Sequence, residues 1–282
     1  MEKIALRESQ MLQINKRIVS TLLTRTKIPS GADFVINPYV GCQHNCLYCY
    51  ADFMKRFTNH PQPWGSFVDI KICGKPIKPK SLTGKKVLLC SVTDPYMPLE
   101  KEIGNTRMIL EQLLDSGADV SILTKNALVT RDIDLFKKFA DIDIAISMNT
   151  LDDEFRKIME PFASSVADRM NALKTLHENG LHTSMFLSPM FPGITDFKAI
   201  IETCRPFTDE FWFENLNLYP TAFAKIMKLI KIRFPNLLEL YEQIYAHKDI
   251  SFWEHLRKEI ADFCNAEKIN HIMYFYHKQI KK

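Results

Sequence analysis

The sequence predicts an α/β fold of six βα units, and three observations carry that expectation. From Phe34 onward, short apolar runs alternate with longer stretches of helical period. Two of those helical stretches stop at a glycine that the next apolar run follows within a few residues. The apolar runs end in polar clusters, as parallel strands do where their carboxyl ends meet a ligand. By this pattern alone the units fit either an incomplete barrel or a doubly wound sheet.

In chain order, residues 1–32 are mixed and basic, with helical periodicity through Leu12, Ile18, Leu22 and Leu23, and read as a cap or arm. Strands are expected at 34–40, 87–92, 120–123, 142–146, 183–187 and 211–218. The stretch 106–116 places Ile109, Leu110, Leu113 and Leu114 on one face and stops at Gly117. The stretch 166–179 does the same with Val166, Met170, Leu173 and Leu176 and stops at Gly180. Glycine takes the left-handed turn that ends a helix without strain. Asp132, Thr195 and Asp196 are expected to cap helix N-termini. Residues 221–282 have a helical rhythm through Leu237, Leu238, Tyr241, Ile244, Phe252, Leu256, Ile260 and Phe263. The aromatic run from His271 to Tyr276 follows as a last strand packed in the core. Composition breaks nowhere, so one domain of 282 residues is expected, with its core at about 33–220.

The 46% apolar and 25% charged fractions are those of an ordinary soluble protein. No apolar run reaches the ~18 residues of a membrane span. The start, Met1-Glu2-Lys3-Ile4, lacks the signal-peptide series, so a cytoplasmic protein is expected. Seven cysteines, three of them within eight positions, suit metal-bound thiolates in a reducing compartment better than disulfides. Residues 71–86 carry Lys71, Lys75, Lys78, Lys80, Lys85 and Lys86 with no acid. Such a run is a solvated loop or one that tracks phosphates.

The chemistry-bearing segment is Asn37-Pro-Tyr-Val-Gly-Cys42-Gln-His-Asn-Cys46-Leu-Tyr-Cys49-Tyr50, directly after the first expected strand. Its spacing, C-x3-C-x2-C, supplies three ligands. A structural zinc site wants four and would have to recruit His44 or a remote residue. A 4Fe–4S cubane is usually held by four cysteines, one per iron, so three leave one iron open. Gly41 suits a loop whose backbone makes a close approach. The strand tips carry Ser91, Thr93 and Asp94, then Thr124, Lys125 and Asn126, then Ser147, Asn149 and Thr150, then Ser188, then Glu214, Asn215 and Asn217. An ammonium such as that of Lys125 beside a buried tip needs a partner, either a neighbouring carboxylate or that of a cofactor. Arg169 could reach the same carboxylate in a bidentate fork.

The cysteine segment, with Tyr48 as the aromatic of C-x3-C-x-aromatic-C, resembles the signature of the radical S-adenosylmethionine superfamily. Ser91-Val-Thr-Asp-Pro-Tyr-Met-Pro-Leu-Glu100, Thr124-Lys125, Arg131-Asp132, Glu160-Pro161 and Pro192-Gly-Ile-Thr-Asp196 extend the likeness to the spore photoproduct lyase-like branch, over roughly residues 33–220. The resemblance implies a partial TIM barrel of six βα units with a helical C-terminal extension. It implies a 4Fe–4S cluster on Cys42, Cys46 and Cys49 and S-adenosylmethionine on the open iron, cleaved to a 5′-deoxyadenosyl radical. Tyr48 would pack near the adenine. Lys125, Ser147, Arg169 and Ser188 would contact the cofactor. Ser91 and Asp94 would stand in for the glycine-rich amino-group motif, which is absent. Tyr50 matches the branch as a catalytic candidate. Cys90 lies one residue before the hydrogen-returning cysteine of the lyases, a slip that turns a strand side chain to the other face and suits a core cysteine. Cys73, Cys204 and Cys264 match no role. A flavodoxin- or ferredoxin-type electron donor is implied, and nucleic-acid lesions or related bases are the implied substrate. A small-molecule or protein substrate is the first alternative, and a zinc-stabilised binding module without catalysis is the second.

Overall fold

A computed structural model of the chain describes residues 12–28 and 31–275. Its strands are β1 (Gln13–Val19), β2 (Leu23–Arg25), β3 (Phe34–Ile36), β4 (Tyr39–Val40), β5 (Phe67–Cys73), β6 (Lys86–Leu89), β7 (Asp119–Thr124), β8 (Ile142–Ser147), β9 (His182–Met190), β10 (Glu210–Asn215) and β11 (His271–Met273). The helices are α1 (Glu100–Ile103), α2 (Asn105–Leu113), α3 (Ile133–Phe136), α4 (Asp153–Met159), α5 (Val166–Glu178), α6 (Phe197–Cys204), α7 (Pro220–Arg233), α8 (Leu238–Tyr241) and α9 (Ser251–Ala266). β3, β6, β7, β8, β9, β10 and β11 pair in parallel, each beside the next, with β2 antiparallel at the β3 edge. Strand order follows chain order with no reversal. This is an open, partial TIM barrel and not a doubly wound sheet, in which the order reverses at a switch point.

Burial explains the arrangement. Parallel strands are covered on both faces, and Val120, Ile122, Ile144, Ala145, Ile146, Met185 and Leu187 are all buried. α5 shows how a helix covers them. The Ser165 hydroxyl accepts from the Asp168 amide to start it, and Gly180 at φ +77° follows its end. Its inner face buries Val166, Leu173 and Leu176, each worth about 2 kcal/mol of transfer free energy. Gly117 turns left-handed after α2 in the same way, at φ +61°.

The structure corrects several expectations. The run at 34–40 splits, because Pro38 has no amide to continue the ladder, and β4 crosses to a second sheet of order β1-β5-β4. The N-terminal arm, despite its helical periodicity through Leu12, Ile18, Leu22 and Leu23, contains β1 and β2; β1 lies in parallel register with β5, from Gln13 against Phe67 to Val19 against Cys73. β5 takes the start of the lysine run into a strand, so that run is no continuous loop. At its other end Lys85 and Lys86 each lie 3.9 Å from a carboxylate, Asp33 and Asp119. They stand where β6 begins, at the end of the barrel away from the tips. Of the expected caps only Asp196 works as one, accepting from the Ala199 amide at 3.0 Å. Thr195 bonds Phe191 and Asn149 instead, and the Asp132 carboxylate is taken by Arg107, Arg131 and Tyr96. The last strand forms as β11, and Tyr274 packs edge-on against Phe186 and Trp212. Tyr276, and the arm at 1–11 and 29–30, lie outside the described residues. Cys264 is buried on α9, as expected of an apolar helix face. Among the described residues no helix is long and apolar enough to cross a membrane.

Candidate active site

The cysteine loop leaves β4 through Gly41, at φ +90°. A Cβ there would sit 2.2 Å from the Phe67 carbonyl oxygen, so the loop lies tight against β5 and only glycine fits. Thr93 donates its hydroxyl to the Gly41 carbonyl at 2.6 Å, the Gln43 side chain accepts from the Leu99 amide at 2.8 Å, and Leu47 donates its amide to the Met159 carbonyl at 2.8 Å. The loop is thus fastened to the connection between β6 and α1 and to the end of α4. Cys42, Cys46 and Cys49 are free and half-buried on it. Burial pushes all three thiols up, reinforced at Cys42 by Asp94 and at Cys46 by Glu160. Only metal coordination would make thiolates of them in such surroundings.

Among the described residues no three His, Cys, Asp or Glu side chains converge closely enough to hold one metal ion. A mononuclear zinc site needs such convergence. Three free thiols on one pinned loop are a donor set that a cubane with one open iron would take.

Beside the loop, a hydrogen-bonded network ties the tips of β7, β8 and β9 around Glu160, which is wholly buried. Glu160 accepts from the Tyr48 hydroxyl, from Asn149 at 3.1 Å and from Arg169 at 2.5 Å, and the Lys125 ammonium stands 3.6 Å away. Burial alone would raise its carboxyl, but Arg169, Lys125 and these hydrogen bonds outweigh it and hold the carboxyl at about 2. Lys125 donates to the Ser147 hydroxyl at 2.5 Å and to the Ser188 carbonyl at 3.1 Å. It also lies 5.9 Å from the centre of the Tyr48 ring. The pairing between β9 and β10 shifts register between Phe213 and Asn215, opposite Ser188 and Pro189. Bulges are where a central strand tolerates proline, and they re-aim side chains beside active sites. Ser188 donates from there to Glu214, whose carboxyl burial pushes up.

Tyr48, Lys125, Ser147 and Ser188 are therefore brought together as the sequence suggests. Arg169 joins them differently. It is fully buried, and its guanidinium is occupied by Glu160 and by the Ser147 and Ser164 carbonyls, so the fork expected for a cofactor carboxylate is engaged within the chain. Asp94 is also enclosed, accepting from the Thr124 hydroxyl and the Lys125 and Tyr96 amides at 2.7–2.8 Å, with His44 at 3.4 Å. Ser91 offers its carbonyl to the Tyr50 hydroxyl. Cys90 is 2% exposed and Tyr50 44% exposed. The alternation argument for Cys90 does not apply, because the residue follows the end of β6 and takes φ +69°. Sequence reasoning missed Glu160 as the hub. The signal was charge balance, since buried cations on adjacent tips require an anion.

Comparison with known proteins identifies the family and the fold. Residues 36–204 match the radical SAM superfamily. An uncharacterized protein of Methanocaldococcus jannaschii is 42% identical over 224 residues, 79% of this chain and 84% of that protein. A radical SAM Nalpha-GlyT isomerase of Pseudomonas phage M6 is 27% identical, over 56% of this chain and 33% of its own length. A spore photoproduct lyase variant with bound AdoMet and dinucleoside spore photoproduct shares the fold at TM-score 0.58 and 16% identity, over 79% of this chain and 66% of that one. The chain belongs to the radical S-adenosylmethionine superfamily, whose members work with a 4Fe–4S cluster and S-adenosylmethionine.

Proposed function

We propose that Cys42, Cys46 and Cys49 hold the cluster with one iron left for the amino-acid end of S-adenosylmethionine, and that the enzyme acts on a lesion or modified base in nucleic acid. The observation that carries the reading is three free thiols on one loop, fastened beside Lys125 and Ser147 at the mouth of an open parallel barrel. When bound, the cluster and its cofactor supply a 5′-deoxyadenosyl radical.

The chain's own residues bind and orient. Glu160 and Ser147 hold the Lys125 ammonium in place, ready for the cofactor carboxylate. Tyr48, braced edge-on by Phe191 at 5.6 Å, offers a ring to the adenine. Arg169 and Asp94 serve as positioning residues, one for Glu160 and the other for the backbone of Lys125. Ser91 and Ser188 border the space between the tips. Tyr50 stands where a substrate can reach it, whereas Cys90 does not. A flavodoxin- or ferredoxin-type protein in the cytoplasm would deliver the electron. The nucleic-acid substrate is supported by the fold shared with structures that hold a dinucleoside photoproduct.

Anaerobic reconstitution tests the reading. Iron and sulfide should bind, 5′-deoxyadenosine should form with reductant, and Cys42→Ala, Cys46→Ala or Cys49→Ala should each abolish both. Iron-free protein, or full activity in any one of these variants, overturns the ligand assignment. Ultraviolet-damaged DNA should accelerate 5′-deoxyadenosine formation over undamaged DNA. Equal rates with and without either DNA would move the substrate to a small molecule or a protein.

A further inference from the structure

The segment after the third cysteine is a 3-10 helix of eight residues, Tyr50–Phe57. Such runs rarely exceed three or four residues, and their side chains at i and i+3 eclipse. That geometry sorts the helix into rows. Ala51 and Met54 turn inward onto Val40, Trp64 and Phe67. Tyr50, Phe53 and Arg56 form a second row that stays at the surface. The Tyr50 and Phe53 rings stack with centroids 6.4 Å apart and planes 27° apart. The Arg56 guanidinium lies 5.5 Å from the centre of Phe53 and 4.6 Å from that of Phe57. On the other side Tyr219, at the start of α7, lies 6.3 Å from Tyr50. The result is a continuous strip of π surfaces, Tyr219–Tyr50–Phe53–Arg56–Phe57, that borders the cysteine loop.

All four rings are 36–58% exposed and follow one another along the strip. Lys55 and Arg56 in the last turn outweigh Asp52 in the first, so the outer end is net positive. Flat aromatic faces flanked by cations are what an unpaired, phosphate-linked base recognises. We infer that Tyr219, Tyr50, Phe53 and Arg56 form a stacking platform that receives the unpaired bases of a single DNA strand at the mouth of the barrel. The inference rests on the nucleic-acid reading above and adds the residues that bind the strand.

The test is fluorescence anisotropy of a short labelled oligothymidylate with the reconstituted full chain at low salt. Wild type should bind, and Phe53→Ala and Tyr219→Ala should each weaken binding about tenfold. Phe53→Leu, apolar but without a ring, should behave like alanine, and Phe53→Trp should bind like wild type. Iron content and thermal melting report whether each variant is folded, and Tyr219, on a different element from Phe53, gives an independent second measurement. If wild type binds and both alanine variants bind equally well, the platform is refuted while the nucleic-acid reading stands. If wild type itself does not bind, that reading fails and the platform falls with it.

Discussion

Two wholly buried glutamates, Glu160 and Glu100, sit in polar clusters that look alike on paper and differ in what depends on them. Glu100 accepts from the Tyr39 hydroxyl, from the Thr106 amide at 3.0 Å and from Arg131 at 2.8 Å. Arg131 is shared with Asp132 and is 24% exposed, so it keeps a second anion and some water. Glu160 receives no backbone amide among the described residues, and its partner Arg169 is sealed. The first cluster fastens α1 and α2 to the segment before α3. The second fixes the side chains that line the mouth. A buried ion pair therefore marks a site only when a group that reaches solvent hangs from it, as Lys125 does at 17% side-chain exposure.

The largest expected effect separates the two hubs by stability. Glu160→Gln removes the counter-charge of a fully buried arginine and should cost about 3–5 kcal/mol in urea denaturation. Glu100→Gln leaves Arg131 with Asp132 and should cost roughly 1–3 kcal/mol. Equal losses would break the comparison.

Acid sharpens it. The Glu160 carboxyl lies at about 2 in the folded chain against an ordinary 4.5. A depressed carboxylate stabilises fully above its unfolded value and loses that contribution as pH falls through the folded one. Stability should therefore drop by on the order of 3 kcal/mol between pH 4.5 and 2, and Glu160→Gln should show a shallower fall over that window. Parallel curves for the two proteins would mean that other carboxylates govern acid unfolding.

A third effect lies in function. Lys125→Met should lower 5′-deoxyadenosine formation by about 10- to 100-fold, the loss of one charge-assisted hydrogen bond. Arg131→Met, from the other cluster, should reduce stability and leave that rate near wild type in folded protein. Rates that fall equally in both would make Lys125 one more structural cation.

The barrel was legible because burial sets strand patterns: Val120, Ile122, Ile144 and Ile146 declare their strands from composition alone. The loop of Cys42, Cys46 and Cys49 was legible because the ligand spacing is local. What the sequence concealed depends on long-range pairing. β1 reads as a weak helix because its partner β5 is 54 residues away, as the Asn15–Asp69 contact shows. Arg169 reads as free until Glu160, nine residues earlier, is folded against it. The row of Tyr50, Phe53 and Arg56 has a three-residue period that an α-helix would spread and only the tighter 3-10 turn aligns.

The smallest effect lies at the rim of the scaffold cluster. Arg107 holds Asp134 in a two-pronged pair at 2.7 and 2.9 Å while also reaching Asp132. The paired guanidinium keeps the Asp134 carboxyl at about 2, yet its side chain is 55% exposed, so water screens the interaction. Asp134→Asn should cost at most about 1 kcal/mol, with any effect confined to pH above the folded value and diminished by salt. A loss as large as that of Glu100→Gln would show that the cluster extends to the surface and that its energy is not concentrated at the two buried carboxylates.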